Sequence, residues 1–460
     1  MLSEYKEKKK TGYDWLPEVP VHWEQVPIWT MLSESDERNG ERDDLELLSV
    51  YREYGVIKKA SRSDNHNVAS QDLSNYKYVG DGYLVMNKMK MWQGSLGVSK
   101  YEGIVSPAYI VCRMTTSANK EYLHNLLRSV KFKTFYNRIS YGIRVGQWDM
   151  RYGDFKKLYL YLPSIDEQNK IVTFLRWKTS EMVKFVHEKK KEISLLNELK
   201  HSIIVKAVTR GLNANTSMMT SGISFVKKIP AYWDELMLFQ VASEQKISNK
   251  TVHHQNLLSL SYGKIKRKDI NTKGGLLPAS FDTYQIVNDG NVILRLTDLQ
   301  NDHKSLRVGL ATETGIITSA YTCLKPRDNI LPEYLYLMLH AYDVSKVFYG
   351  MGGGVRQSIG YSDIRRMTIP LPPLDEQQAI VDYCYSEQKK IEKLIDSLND
   401  EIAYIQELRV RTISDVVTGT VDVRNVEIPE YETETSDIND DVSEDEDLDE
   451  VETVDEEVDE

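Results

Sequence analysis

Five apolar positions, Ile391, Ile395, Leu398, Ile402 and Ile405, alternate spacings of four and three. That period of 3.5 is the seam of a helix that wants a partner helix. It lies in a stretch, Asp375 to Thr418, without a single Pro or Gly. A second such stretch runs from Asp166 to Thr209 and carries Met182, Val186, Lys189, Ile193 and Leu196 at the same register, one Lys interrupting the seam. At 44 residues each, the two stretches predict helices about 66 Å long. Elsewhere the apolar runs are short and alternating, as in "YLVMN" and "NVILRL", with DG, GG and Pro between them. This reads as strands and turns, with one short helix at "NKEYLHNLLRSV" and one at "LPEYLYLMLHAY".

The two helices are copies within a larger repeat. "LPSIDEQNKI" (162–171) answers "LPPLDEQQAI" (371–380), and the match is collinear over most of the chain. "VPVHW" answers "IPAYW", "LLSVYREYG" answers "LLSLSYG", "YKYVGDGYLVMN" answers "YQIVNDGNVILR", and "GIVSPAYIVC" answers "GIITSAYTCL". A series in one order at offsets of 208 to 212, with small insertions between, means a tandem duplication. The fold class that follows is α+β: a mixed α/β globule and a long helix, each present twice. The segments are 1–162 globule, 163–211 central helix, 212–371 globule and 372–420 second helix. Halves related by a pseudo-two-fold axis place their helices in opposite directions, so an antiparallel coiled coil is expected. Within the twin decapeptide, Pro163, Pro372 and Pro373 suit a helix start. Ser164 with Glu167, and Asp375 with Gln378, have the spacing of a capping box.

Net charge is −11, but Glu427 to Glu460 holds 19 of the 69 acidic residues and no Lys or Arg. The remainder, with 58 basic and 69 − 19 = 50 acidic residues, carries +8. A basic body with a disordered acidic tail at 427–460 is therefore expected. No apolar run is long enough for a bilayer, and three scattered cysteines suit buried thiols in a reducing cytoplasm. Catalytic signatures are missing: no phosphate loop, HExxH, GxSxG, or carboxylate–lysine nuclease cluster. "GMGGGVRQS" is glycine-rich without the phosphate-binding Lys. No catalytic residue and no metal ligand is assigned.

The globules do hold residue types that contact DNA. "YGVIKKASR" and "YGKIKRKD" set Tyr beside basic residues, giving Lys58, Lys59, Arg62, Lys264, Lys266 and Arg267 as candidates. "YGIRVGQW" and "GMGGGVRQS" add Arg144, Gln147, Arg356 and Gln357 in Gly-rich loops, where Arg and Gln can read base edges.

"IPLPPLDEQQAIV" and "LYLPSIDEQNKIV" opening long helices, with "AVTRGL" and "DVVTGTVDVR" closing them and "GIVSPAYIV" in the first globule, resemble the specificity subunits of type I restriction-modification enzymes. The resemblance covers roughly residues 15–425; the acidic tail lies outside it. It implies that each globule is a target-recognition domain reading one half of a split, asymmetric DNA site. It also implies that the helix pair sets the spacing, and that two modification and two restriction subunits join the complex on double-stranded DNA. The twin motif, Asp166, Glu167, Gln168, Asp375, Glu376 and Gln377, is then a helix start and a candidate docking point for partners. This chain would need no cofactor; S-adenosylmethionine, ATP and Mg would serve the partner subunits. Such a complex is cytoplasmic and touches no membrane. The rival readings are a duplicated protein-binding scaffold without DNA specificity, and a modification enzyme with its own catalytic centre.

Overall fold

The structure is a computed structural model. It describes residues 3–52, 54–61, 70–142, 148–223, 225–251, 254–270, 280–299, 302, 305–351 and 358–432. The chain forms two compact units that do not follow its linear order. Unit 1 is Met1–Lys189 with Asp400–Glu460, and unit 2 is Lys190–Asn399.

The duplication is a duplication of strand pairing. Unit 1 has a four-stranded antiparallel sheet in the order Leu96–Val98, Leu84–Asn87, Tyr109–Met114, Leu32–Glu34. Unit 2 repeats that order with Val308–Leu310, Val292–Leu294, Thr322–Pro326 and Ala242–Glu244. The smaller pairs repeat too. Glu24–Pro27 lies against Tyr159–Leu162 in unit 1, and Asp234–Met237 against Thr368–Leu371 in unit 2. One parallel bridge recurs, Leu47 to Ile104 and Leu257 to Ile316. Beside these bridges Gly103 and Gly315 are held by space rather than by turn geometry. A Cβ on Gly103 would meet the Glu46 carbonyl oxygen at 2.4 Å, and one on Gly315 the Asn256 carbonyl oxygen at 2.6 Å. The short helices fall at Lys120–Leu127 and Pro332–Val344, and unit 1 adds another at Val130–Ile139.

The long helices run from Ile165 to Arg210 and from Leu374 to Val417. Each unit takes the start of one and the end of the other. In unit 1, Ile171, Val172, Phe174 and Leu175 share a core with Val416 and Val417. Farther along the first helix, Lys189 Nζ lies 3.1 Å from Glu401 Oε2, so the partner runs backward and the pairing is antiparallel. In unit 2 the same geometry recurs. Ile204, Ala207 and Val208 share a core with Ile380, Val381 and Cys384, and Lys200 Nζ is 3.9 Å from Glu392 Oε1. The seam positions are buried or half-buried. The Lys189 interruption is accommodated by the ion pair to Glu401, its ammonium also lying over the Phe185 ring at 5.3 Å.

The three cysteines are buried thiols, and burial pushes each up to about 12. Of the segment expected to be disordered, Glu427–Glu432 is placed. Ile428 packs partly buried on the unit 1 core, and Ser180 Oγ donates to the Glu432 carbonyl at 3.1 Å. Residues 433–460 lie outside the described residues. No helix among the described residues is long and apolar enough to cross a membrane.

Each unit also encloses a neutral imidazole. In unit 1, His124 accepts from the Val98 N–H at 3.2 Å; burial, then the charges of Arg128 and Lys100, lowers it to about 3. In unit 2, His340 Nε2 lies 3.0 Å from His201 Nδ1; burial, then His201 and Lys200, lowers it to about 3 as well. The unfolded chain binds these protons near the ordinary value of 6.5. The stability each ring supports is therefore full above about pH 6.5 and is lost as pH falls toward 3. Urea unfolding between about pH 6.5 and 4.5 should lose midpoint steadily. His340→Gln, which removes one titrating ring, should flatten that slope; an unchanged slope would assign the acid sensitivity elsewhere.

Candidate nucleic-acid interface

The twin motif is built into the junction between globule and helix. In unit 1 the Glu167 carboxylate accepts from Tyr5 Oη at 2.7 Å and Trp23 Nε1 at 3.2 Å, and lies 2.8 Å from His22 Nε2. In unit 2 Glu376 accepts from Tyr232 Oη at 2.8 Å and Trp233 Nε1 at 3.1 Å. The repeated Trp of "VPVHW" and "IPAYW" thus meets the repeated Glu of the decapeptide. The following Gln does a second job. Gln168 Oε1 accepts from the Asn119 N–H at 2.8 Å, and its Nε2 donates to the Pro163 carbonyl at 2.9 Å. Gln377 Oε1 accepts from the Leu331 N–H at 2.8 Å, and its Nε2 donates to the Pro372 carbonyl at 2.9 Å. Asn119 and Leu331 are the N-cap residues of the short helices, so one buried carboxamide ties two helix starts together. Opposite them, Tyr122 Oη donates to the Val417 carbonyl and Tyr334 Oη to the Val208 carbonyl, closing the other long helix onto the same globule.

The expected capping boxes are corrected by this geometry. The first helix begins at Ile165, and the Glu167 N–H reaches Ser164 Oγ at 3.4 Å, but the Glu167 side chain turns to Tyr5 and Trp23 instead of returning to the cap. The second begins at Leu374, which places Asp375 inside the first turn and leaves Pro373 at the cap. The Gln377 N–H bonds the Pro373 carbonyl, and Gln378 instead donates to Asp382. Glu167, Gln168 and Gln377 are buried and Glu376 is half-buried; Asp166 and Asp375 stand exposed.

Among the DNA candidates, Arg62, Arg144, Gln147, Arg356 and Gln357 lie outside the described residues. Lys58 is exposed, its Nζ 2.6 Å from Glu46 Oε2, which raises its pKa. Lys59 is half-buried at the start of a 3-10 turn, Lys59–Ser61. Lys264, Lys266 and Arg267 come together on one hairpin, Leu258–Ser261 paired with Lys264–Arg267. Arg267 makes a bidentate pair with Glu313, Nε at 2.8 Å from both oxygens. Lys264 Nζ is 3.7 Å from Glu392 on the second long helix. The turn between the strands is Tyr262 (φ 47°) and Gly263 (φ 76°). Two positive φ values make the tight reversal that suits the twist of a hairpin. For Tyr that conformation costs on the order of 1–3 kcal/mol.

Sequence reasoning passed over Arg307. It is fully buried and donates from Nη1 to the Thr297 carbonyl at 2.8 Å, from Nη2 to the Asp298 carbonyl at 3.2 Å and from Nε to Tyr349 Oη at 3.0 Å. Its own N–H bonds Asp343 Oδ2 at 2.6 Å, and burial lifts Asp343 to about 6. The loop after Arg295 is thereby pinned to the helix Pro332–Val344. A single Asp at the end of the apolar run "YLYLMLHAYD" was the legible sign that a buried donor must face it. No group of three or more His, Cys, Asp or Glu that could hold a metal is found among the described residues.

The structure therefore shows one strand-pairing pattern built twice, each copy joined to a long helix through the same Trp–Glu and Gln contacts. Residues 307–408 match the family model described as the type I restriction modification DNA specificity domain. The chain is 23% identical over 375 residues to the putative type I restriction enzyme MjaX specificity subunit of Methanocaldococcus jannaschii, covering 78% of this chain and 82% of that one. A chain solved in work on complex assembly and conformational transition of the type I R-M system shares the fold, with a TM-score of 0.58 at 15% identity over 88% of this chain and 99% of that one. The HsdS subunit from Thermoanaerobacter tengcongensis aligns at a TM-score of 0.45 and 16% identity, over 88% and 98% of the two chains. The resemblance to type I specificity subunits carried by the twin motif is borne out by the family model and the curated relative.

The junction can be tested directly. Gln377→Ala strands the buried Leu331 N–H and the Pro372 carbonyl, and should cost about 2–4 kcal/mol in urea unfolding. Gln378→Ala, one residue away and exposed, should stay within about 0.5 kcal/mol of the parent.

Proposed function

We propose that this chain is the DNA sequence-recognition subunit of a type I restriction-modification complex. Each unit reads one half of a bipartite, asymmetric site, and the helix pair sets the unread spacing and docks the modification subunits. The observation that carries this reading is one fold built twice with different exposed surfaces. The shared sheet order gives two readers of one design. The hairpin of unit 2 is polar and basic outside, whereas its counterpart in unit 1, Leu48–Tyr51 with Gly55–Lys58, buries Val56 and Ile57. Like frames with unlike surfaces suit two different half-sites.

The chain itself catalyses nothing in this reading. S-adenosylmethionine, ATP and Mg belong to two modification and two restriction subunits, and the exposed Asp166 and Asp375 are available at the helix starts to the modification subunits. The assembly works on double-stranded DNA in the cytoplasm.

Affinity for duplex DNA should fall steeply with salt, because phosphate contacts release counterions; salt-independent association would favour a protein scaffold instead. The purified chain alone should transfer no methyl group. Inserting four residues into one long helix should change the recognised spacing or abolish binding, since groove faces recur about every 10 base pairs. Exchanging residues 1–160 for those of a relative should alter one half-site only, as read by mapping methylated adenines made by the reconstituted complex. A change in both halves would contradict modular reading.

A further inference from the structure

We propose that the hairpin Leu258–Arg267 enters a groove of the duplex as a two-stranded ribbon, with Tyr262 at its tip packing against bases and setting specificity in one half-site. This deepens the DNA-recognition reading and depends on it.

The ribbon has two unlike faces. Leu258 and Leu260 are buried and Ile265 half-buried, facing the core. The strand beneath has Gly309, where a Cβ would meet Leu260 Cδ1 at 2.6 Å, so the hairpin sits flush on the sheet. The other face carries Ser259 opposite Lys266 and Ser261 opposite Lys264. Lys264 Nζ lies 3.7 Å from Glu392 on the long helix, so the two hydroxyls and Lys266 are the groups that this face offers a major groove. Ser can bond any base edge and Lys can meet guanine or phosphate.

Tyr262 is the decisive residue. The residue is 71% exposed. It makes no hydrogen bond or ring contact with the described residues. It nevertheless occupies a left-handed conformation, φ 47°, where Asn or Gly would sit more easily. No hydrogen bond or ring contact from the described residues offsets that strain, which points to a partner outside the hairpin.

The hairpin is also held ready. At its base Arg267 and Asn256 both bond Glu313, the latter at 2.9 Å, and Asn256 donates to the Thr314 carbonyl at 2.8 Å. At its tip Gly263 lies against Leu306. The equivalent hairpin of unit 1 is held differently. Arg128 Nη1 donates to the Leu96 carbonyl at 2.6 Å and the Tyr51 carbonyl at 3.3 Å, and Nη2 to the Arg52 carbonyl, so that turn is drawn onto the globule. The tip probe is assigned to the unit 2 hairpin.

The test uses the full chain and a pool of randomised duplexes, sequencing the bound fraction. Tyr262→Asn should keep or raise the melting temperature, because Asn relieves the turn. It should weaken binding to the selected duplex about tenfold and relax base preference within one half-site. Lys266→Gln should weaken all sequences alike and make the salt dependence shallower by about one ion. A Tyr262→Asn chain with unchanged affinity and preference would overturn the tip-probe proposal while leaving DNA recognition standing. So would a uniform loss of affinity without relaxed preference. Absence of salt-sensitive binding by the parent chain would overturn both.

Discussion

Everything in each unit turns on a buried carboxamide. Gln168 and Gln377 each satisfy an N-cap amide of a short helix and a proline carbonyl just ahead of the long one. A buried amide that loses a partner is expensive, so the two helix starts are fixed in one geometry. The neighbouring Glu secures the same joint to the first strands through Trp23 or Trp233. From that joint the long helix has a fixed departure, and the heptad seam can find its antiparallel partner. Each globule thus takes its orientation on the long helix from this one junction.

The repeat, the helices and their pairing were legible because they are written in spacing. A seam of Ile391, Ile395 and Leu398 has one physical solution, a partner helix. A collinear duplication then supplies that partner. Local chemistry was less legible. Asp375 and Gln378 have capping-box spacing, yet Pro373 takes the cap and shifts Asp375 into the helix. Glu167 has two competing uses, and tertiary donors on Tyr5 and Trp23 outweigh the local one. Spacing along the chain cannot rank a partner 144 positions away.

The candidate interface was legible as composition and not as geometry. "KIKR" announced charge, but only the strand register separates Lys264 and Lys266 from Arg267, which faces the other way toward Glu313. "SLSYGKIK" did contain the signal of a two-residue reversal between alternating runs. The hold on the matching hairpin in unit 1 comes from Arg128, a residue 76 positions beyond Arg52, and no local pattern carries that.

The interleaving of the chain has a bearing on how it is made. Ser3 and Glu4 pair with Asp422 and Val421, and the core around Trp23 is completed by Val416, Val417 and Val423. A ribosome delivers the first globule hundreds of residues before those parts, while unit 2 receives its segments as one continuous run. Domains emerging on the ribosome usually fold in order of synthesis. Here the order is inverted: the later half can close first, and the earlier half waits with an open apolar flank. Over that interval the flank left open is the one that Val416, Val417 and Val423 later fill.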